Sequence, residues 1–184
     1  MRNIVKLFFT LVFVLNTNAV RSASPTYDFI VDGIYYHIIS EEARTVGVTA
    51  GPDANTTYYT GDIRIPESIT YNQKTYEVTT MLESAMYRSG VNILRIPKTV
   101  TKVEGLGMRA STIVFEETTN PIHLKNNSTL RSEKELIINR PIVYDDKETT
   151  WSSSYSNSSL EKITFGKNVK SLADSEFSKC KKLK

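Results

Sequence analysis

The residues with the means to do chemistry in this 184-residue chain are few: two histidines, one cysteine, and adjacent carboxylates at Glu41-Glu42, Glu116-Glu117 and Asp145-Asp146. A zinc site needs His, Cys or carboxylate ligands at short, repeated spacings. His37 and His123 stand 86 positions apart with no such neighbours. His37 falls in an apolar strand pattern and reads as a half-buried hairpin residue, and His123 follows Pro121-Ile122 in a loop. Cys180 would need a base beside it to act as a nucleophile, and no motif supplies one. Glycoside hydrolysis needs two carboxyl groups on opposite sides of a bond. Sequence neighbours on a strand point to opposite faces, so the paired acids read as solvated turns and strand ends. No calcium loop surrounds Asp53 or Asp145-Asp146, and Gly105-Leu106-Gly107 reads as a bend rather than a phosphate cradle. The residues call for no cofactor and no metal, and they point away from an enzyme.

The net charge of +3 has a local origin. Arg2, Lys6 and Arg21 sit in the first 23 residues, which hold no acid, and taking these three from 23 basic residues leaves 20 against 20 acidic ones. A neutral body lacks the clustered Lys and Arg that nucleic-acid binding requires. The basic start precedes an apolar run from Leu7 to Leu15 and then small residues, which is the pattern of a secretory signal peptide over residues 1–23. That run is too short to span a bilayer comfortably, so no membrane insertion is expected after cleavage. A single cysteine cannot form an internal disulfide, so the fold must rest on burial. Asn55, Asn126, Asn127 and Asn157 stand in glycosylation-type triplets and read as polar loops.

The elements that would carry any site come in two styles. From residue 24 to residue 60 the pattern is β-like: Phe29 and Val31, then Ile34 to Ile39, are separated by the turn-forming pair Asp32-Gly33. Thr45 to Thr49 suggests another strand ending at Gly51-Pro52-Asp53, and together these make a small N-terminal β cap. Most of the tyrosines gathered here, Tyr35, Tyr36, Tyr58, Tyr59, Tyr71 and Tyr76, are explained by strand packing.

From residue 61 to residue 184 the sequence repeats itself. Ile163, Phe165, Val169, Leu172, Phe177 and Cys180 are separated by gaps of 2, 4, 3, 5 and 3, and Leu94, Ile96, Val100, Val103, Met108 and Ser111 follow the same gaps. Ile63, Ile65 and Ile69 start a further row that resumes, after an insertion, at Val78, Met81, Met86 and Ser89. Leu136, Ile138 and Ile142 form a weaker row, and Ile113 with Phe115 begins a degenerate one. A gap of two puts both side chains on one face of a strand, and the longer gaps suit a turn with a short helical or irregular return. One such coil cannot bury its own apolar row, so coils must stack into a solenoid.

These rows resemble the BspA-type leucine-rich-repeat surface proteins of bacteria. The resemblance is carried by Val31-Asp32-Gly33-Ile34-Tyr35-Tyr36, by the stretch from Ile63 to Val78, and by Leu160 to Leu183 with its Phe177-to-Cys180 step. It covers most of residues 27–184 and is loose from Glu117 to Ser159. Met86 and Met108 stand where that family carries an aromatic, and Ser89 and Ser111 where it carries cysteine. The resemblance implies a leucine-rich-repeat solenoid, conventionally an α/β right-handed superhelix, placed on the bacterial surface or secreted. With no terminal cap after Lys184, a truncated chain or a divergent short member is expected.

The functional expectation follows from stacking. The residue between each paired strand position faces outward, which selects Arg64, Arg95, Val114, Ile137 and Thr164 as one extended row. Trp151, in a Thr- and Ser-rich segment, is a further contact candidate. Such a surface suits adhesion, and the resemblance points to a host extracellular-matrix or cell-surface protein or glycan. A glycan-acting hydrolase and a structural surface-layer component are the competing readings.

Overall fold

The structure, a computed structural model, describes residues 27–52, 59–104, 108–125, 130–144, 159–172, 177 and 180–184, apart from the side chains of Arg88 and Leu130. The leader, Asp53, Tyr58, Gly105-Leu106-Gly107, Asp145-Asp146 and Trp151 lie outside these residues, as do all four glycosylation-type asparagines.

The chain opens with β1 (Phe29–Val31), β2 (Ile34–Ser40) and β3 (Thr45–Val48). Asp32 and Gly33 take φ of 49° and 77°, the left-handed pair a tight hairpin turn needs, and they join β1 to β2 antiparallel. There follow β4 (Thr60–Arg64), β5 (Ser68–Tyr71), β6 (Lys74–Met81), β7 (Met86–Ile96), β8 (Lys102–Val103) and β9 (Met108–Phe115). The last elements are β10 (Ile122–Leu124), β11 (Leu130–Ile138), β12 (Ile142–Tyr144) and β13 (Lys162–Phe165). The chain alternates between two sheets. Sheet I has the order β1-β2-β3-β6-β8-β10-β12, with β5 against β6, and sheet II has the order β13-β11-β9-β7-β4. All pairings within sheet II are parallel.

Apolar rungs run across sheet II. Ile63, Leu94, Ile113, Leu136 and Ile163 are successive partners, and so are Ile96, Phe115, Ile138 and Phe165. The Ile65 amide donates to the Arg95 carbonyl at 3.0 Å, which sets Ile65 beside Ile96 at the head of the second rung. Leu94, Ile96, Ile113, Phe115, Leu136 and Ile138 are buried, each removal from water worth about 1.5–3 kcal/mol. Phe165 occupies the same position yet is 44% exposed: among the described residues it has a strand partner on one side, Ile138, and its ring meets Phe177 edge-on at 6.2 Å.

The returns differ from the helical or irregular expectation. Among the described residues no helix occurs, and the returns Lys102–Val103, Ile122–Leu124 and Ile142–Tyr144 are short parallel strands that extend sheet I. With so few residues between turns, an extended segment reaches the next corner where a helix, rising 1.5 Å per residue, would not. The insertion between Ile69 and Val78 is a second hairpin. Asn72 and Gln73 at φ of 49° and 63° turn β5 into β6, and Tyr71 and Tyr76 then close over Phe29, which stacks on Tyr71 at 4.0 Å.

Among the described residues one charge lies inside. Arg140, in the turn after β11, is fully buried and donates to four backbone carbonyls: Pro97 and Val100 at 3.3 and 2.8 Å, Asn120 and Pro121 at 3.1 Å each. Desolvation pulls its pKa from 12.5 to about 10, so it stays charged at neutral pH, and the carbonyl dipoles replace the hydration it has lost.

Candidate binding surface

Sheet II presents its outward residues in register. Arg64, Arg95, Val114, Ile137 and Thr164 are successive cross-strand partners, so the row chosen by spacing is brought together on one level of the sheet. Its exposure is uneven. Arg64 and Arg95 are exposed, Ile137 and Thr164 are half-buried, and Val114 is only 8% exposed, so it does not stand proud as expected. Val114 sits on a central strand with neighbours on both sides, and a short side chain there cannot rise above them.

Ion pairs border this row. Arg64 meets Glu116 at 2.8 Å, Lys162 meets Glu135 at 2.6 Å, and Lys167 meets Glu117 at 2.7 Å. Thr164 Oγ1 also donates to Glu135 at 3.4 Å. Two of the adjacent-acid positions are therefore neutralised by a basic partner, and Glu41 likewise accepts from Lys74 and Tyr76. Glu41 and Glu104 are held below the usual carboxylate range, the first chiefly by the Tyr76 hydrogen bond and the second chiefly by Lys125. A proton-donating carboxyl needs the opposite displacement. His37 lies in the hairpin as read but is exposed rather than half-buried, with Nδ1 2.9 Å from Asp28 Oδ2. His123 lies half-buried on β10, and among the described residues no three His, Cys, Asp or Glu side chains gather as metal ligands. Nor, among them, is any helix long and apolar enough to cross a membrane.

A second feature lies at the other end of the strands. Met86 pairs with Met108 and Val91 with Ala110, so β7 places four residues, 87–90, opposite the single Arg109. β11 then places Glu133 and Lys134 opposite Ser111. These bulges bend the strands and leave carbonyls without ladder partners. Hydroxyls take them up: Ser89 donates to the Arg109 carbonyl, and the buried Ser132 hydroxyl lies between the carbonyls of Ser111 and Glu135, which share its one proton. Between the bulges lies a groove of about 610 Å³ lined by Ser89, Asn92, Arg109, Ser111 and Glu133. Sequence spacing aligned Ser89 and Ser111 with the core position of Cys180. In the structure Cys180 and Ala110 are buried, while both serines are half-buried at the bend.

No family model matches the sequence, and no curated protein does. Solved structures do. The pneumococcal vaccine antigen PcpA aligns with a TM-score of 0.53 at 21% identity, over 80% of this chain and 40% of that one. A leucine-rich-repeat protein from Bacteroides ovatus aligns at 0.48 with 20% identity, over 86% and 46%. A leucine-rich cell-surface protein from Faecalibacterium prausnitzii aligns at 0.42 with 14% identity, over 85% and 47%. At these identities the likeness is one of fold, and the chain spans less than half the length of each neighbour.

Proposed function

We propose that the chain is a non-catalytic binding module of the leucine-rich-repeat surface type, a solenoid behind an N-terminal β cap, exported and held outside a bacterial cell. Its partner is a host extracellular-matrix or cell-surface macromolecule, docked on the outward row of sheet II. The observation that carries this reading is the register of Arg64, Arg95, Val114, Ile137 and Thr164. Two exposed guanidiniums beside a shallow aliphatic centre, bordered by ion pairs, have the arrangement of a protein-docking patch, in which a desolvated middle is ringed by polar contacts. Arg95 forms no ion pair among the described residues and is the cation most open to a partner's carboxylate.

The test is binding of the whole chain to immobilised matrix proteins, with Arg64→Glu and Arg95→Glu compared singly and together. The double variant should lose at least about tenfold in affinity, roughly 1.4 kcal/mol, with its thermal midpoint unchanged. Unchanged affinity would discard this face as the docking surface.

A further inference from the structure

The groove at the strand bend is built independently of the row. Its walls come from excess backbone: residues 87–90 bulge out of β7, and residues 133–134 bulge out of β11. Its floor is closed by Val91 and Ala110, at 4% and 2% exposure, so it is a depression over packed core rather than a gap through the sheet. A volume of about 610 Å³ falls within the range of small-ligand sites, roughly 300–1,000 Å³.

The polar groups around it are paired and incompletely used. Arg109 donates from Nε and Nη2 to Glu133 Oε1 at 2.9 and 2.5 Å, which brings the two half-exposed side chains together and leaves Nη1 and Glu133 Oε2 without partners among the described residues. Asn92 Nδ2 donates to Asp62 Oδ1 at 2.9 Å, which orients the amide and leaves its oxygen to accept. The Ser89 oxygen can still accept, and the Ser111 hydroxyl makes no hydrogen bond within the described residues.

The ligand class follows from this inventory. An anion approaching Arg109 would also meet Glu133 and Asp62, and a cation would meet Arg109. An apolar molecule would strip water from a guanidinium, an amide and two hydroxyls without replacing it. What remains is a neutral ligand bearing donors and acceptors in close succession. The geometry points to a binding site for a neutral oligosaccharide, whose vicinal hydroxyls donate to Glu133 and Asn92 while accepting from Arg109 and Ser111. The site adjoins the outward row without sharing a residue with it, and it does not rest on the protein-docking reading.

The experiment is titration of the whole isotope-labelled chain with maltotriose, cellotriose and triacetylchitotriose, with trigalacturonate as the anionic counterpart. At least one neutral trisaccharide should give saturable amide shifts centred on Asn92, Arg109 and Ser111. Asn92→Leu and Arg109→Met should each weaken it at least tenfold, and Arg64→Glu with Arg95→Glu should leave it unchanged. Asn92 is exposed, so its variant decides the matter should Arg109→Met fail to fold. The site is overturned by any of three results: no neutral trisaccharide shifting these amides at concentrations on the order of 10 mM, a preference for trigalacturonate, or binding that survives Asn92→Leu.

Discussion

Three residues show how differently a polar group can be accommodated in this protein. Arg140 is satisfied by four carbonyls, so replacing it with methionine keeps much of the volume but orphans acceptors in two turns. The expected loss is about 3 kcal/mol or more, read from urea unfolding, because buried groups stripped of a charged partner forfeit their full desolvation cost. Tyr36 is the converse. It is fully buried, its hydroxyl has no partner among the described residues, and burial raises its pKa. Tyr36→Phe should therefore hold or raise stability, by up to about 1 kcal/mol in the same assay. Glu104 gives a pH signature. Lys125 and Lys102 hold its pKa below 4.5, so its contribution is present at pH above that value and is lost as pH falls through the lowered folded value. Stability curves of the wild type and Glu104→Gln should thus converge in acid and separate near neutrality.

At the scale of elements, what was legible depended on whether the signal was local. The Asp32-Gly33 turn and the apolar pairs spaced by two residues declare hairpin and strand wherever they occur, and they placed β1, β2 and the rungs of sheet II. Val114 marks the limit of that reading, since period two fixes its direction but cannot tell that its neighbours enclose it. The bulges of β7 and β11 were not legible, because a bulge is a mismatch between two strands and neither sequence contains it alone. The groove was missed for that reason. Arg140 was missed because nothing in Asn139-Arg140-Pro141 announces burial; its acceptors come from turns about 20 and 40 residues earlier. The hairpin at Asn72-Gln73 went unread because glutamine seldom takes positive φ. Gln73→Gly should remove that strain and stabilise the fold by roughly 0.5–1 kcal/mol, measured as a rise in thermal midpoint.

At the scale of the whole molecule, a residue's worth depends on its place in the stack. Phe115 and Phe165 occupy equivalent positions on one rung, the first fully buried between two strands and the second half-exposed on the last. Phe115→Ala should cost about 3–5 kcal/mol and Phe165→Ala less than half as much, a contrast that chemical denaturation of the two variants would measure. The corner held by Arg140 has a consequence for how such a stack comes apart. Strands joined only to nearest neighbours can open one at a time, as a zipper does. A single guanidinium clasping the corners at 97–100, 120–121 and 140 couples three of them, so this portion should open as one block. Amide protons along β7, β9 and β11 would then share a common exchange rate with solvent.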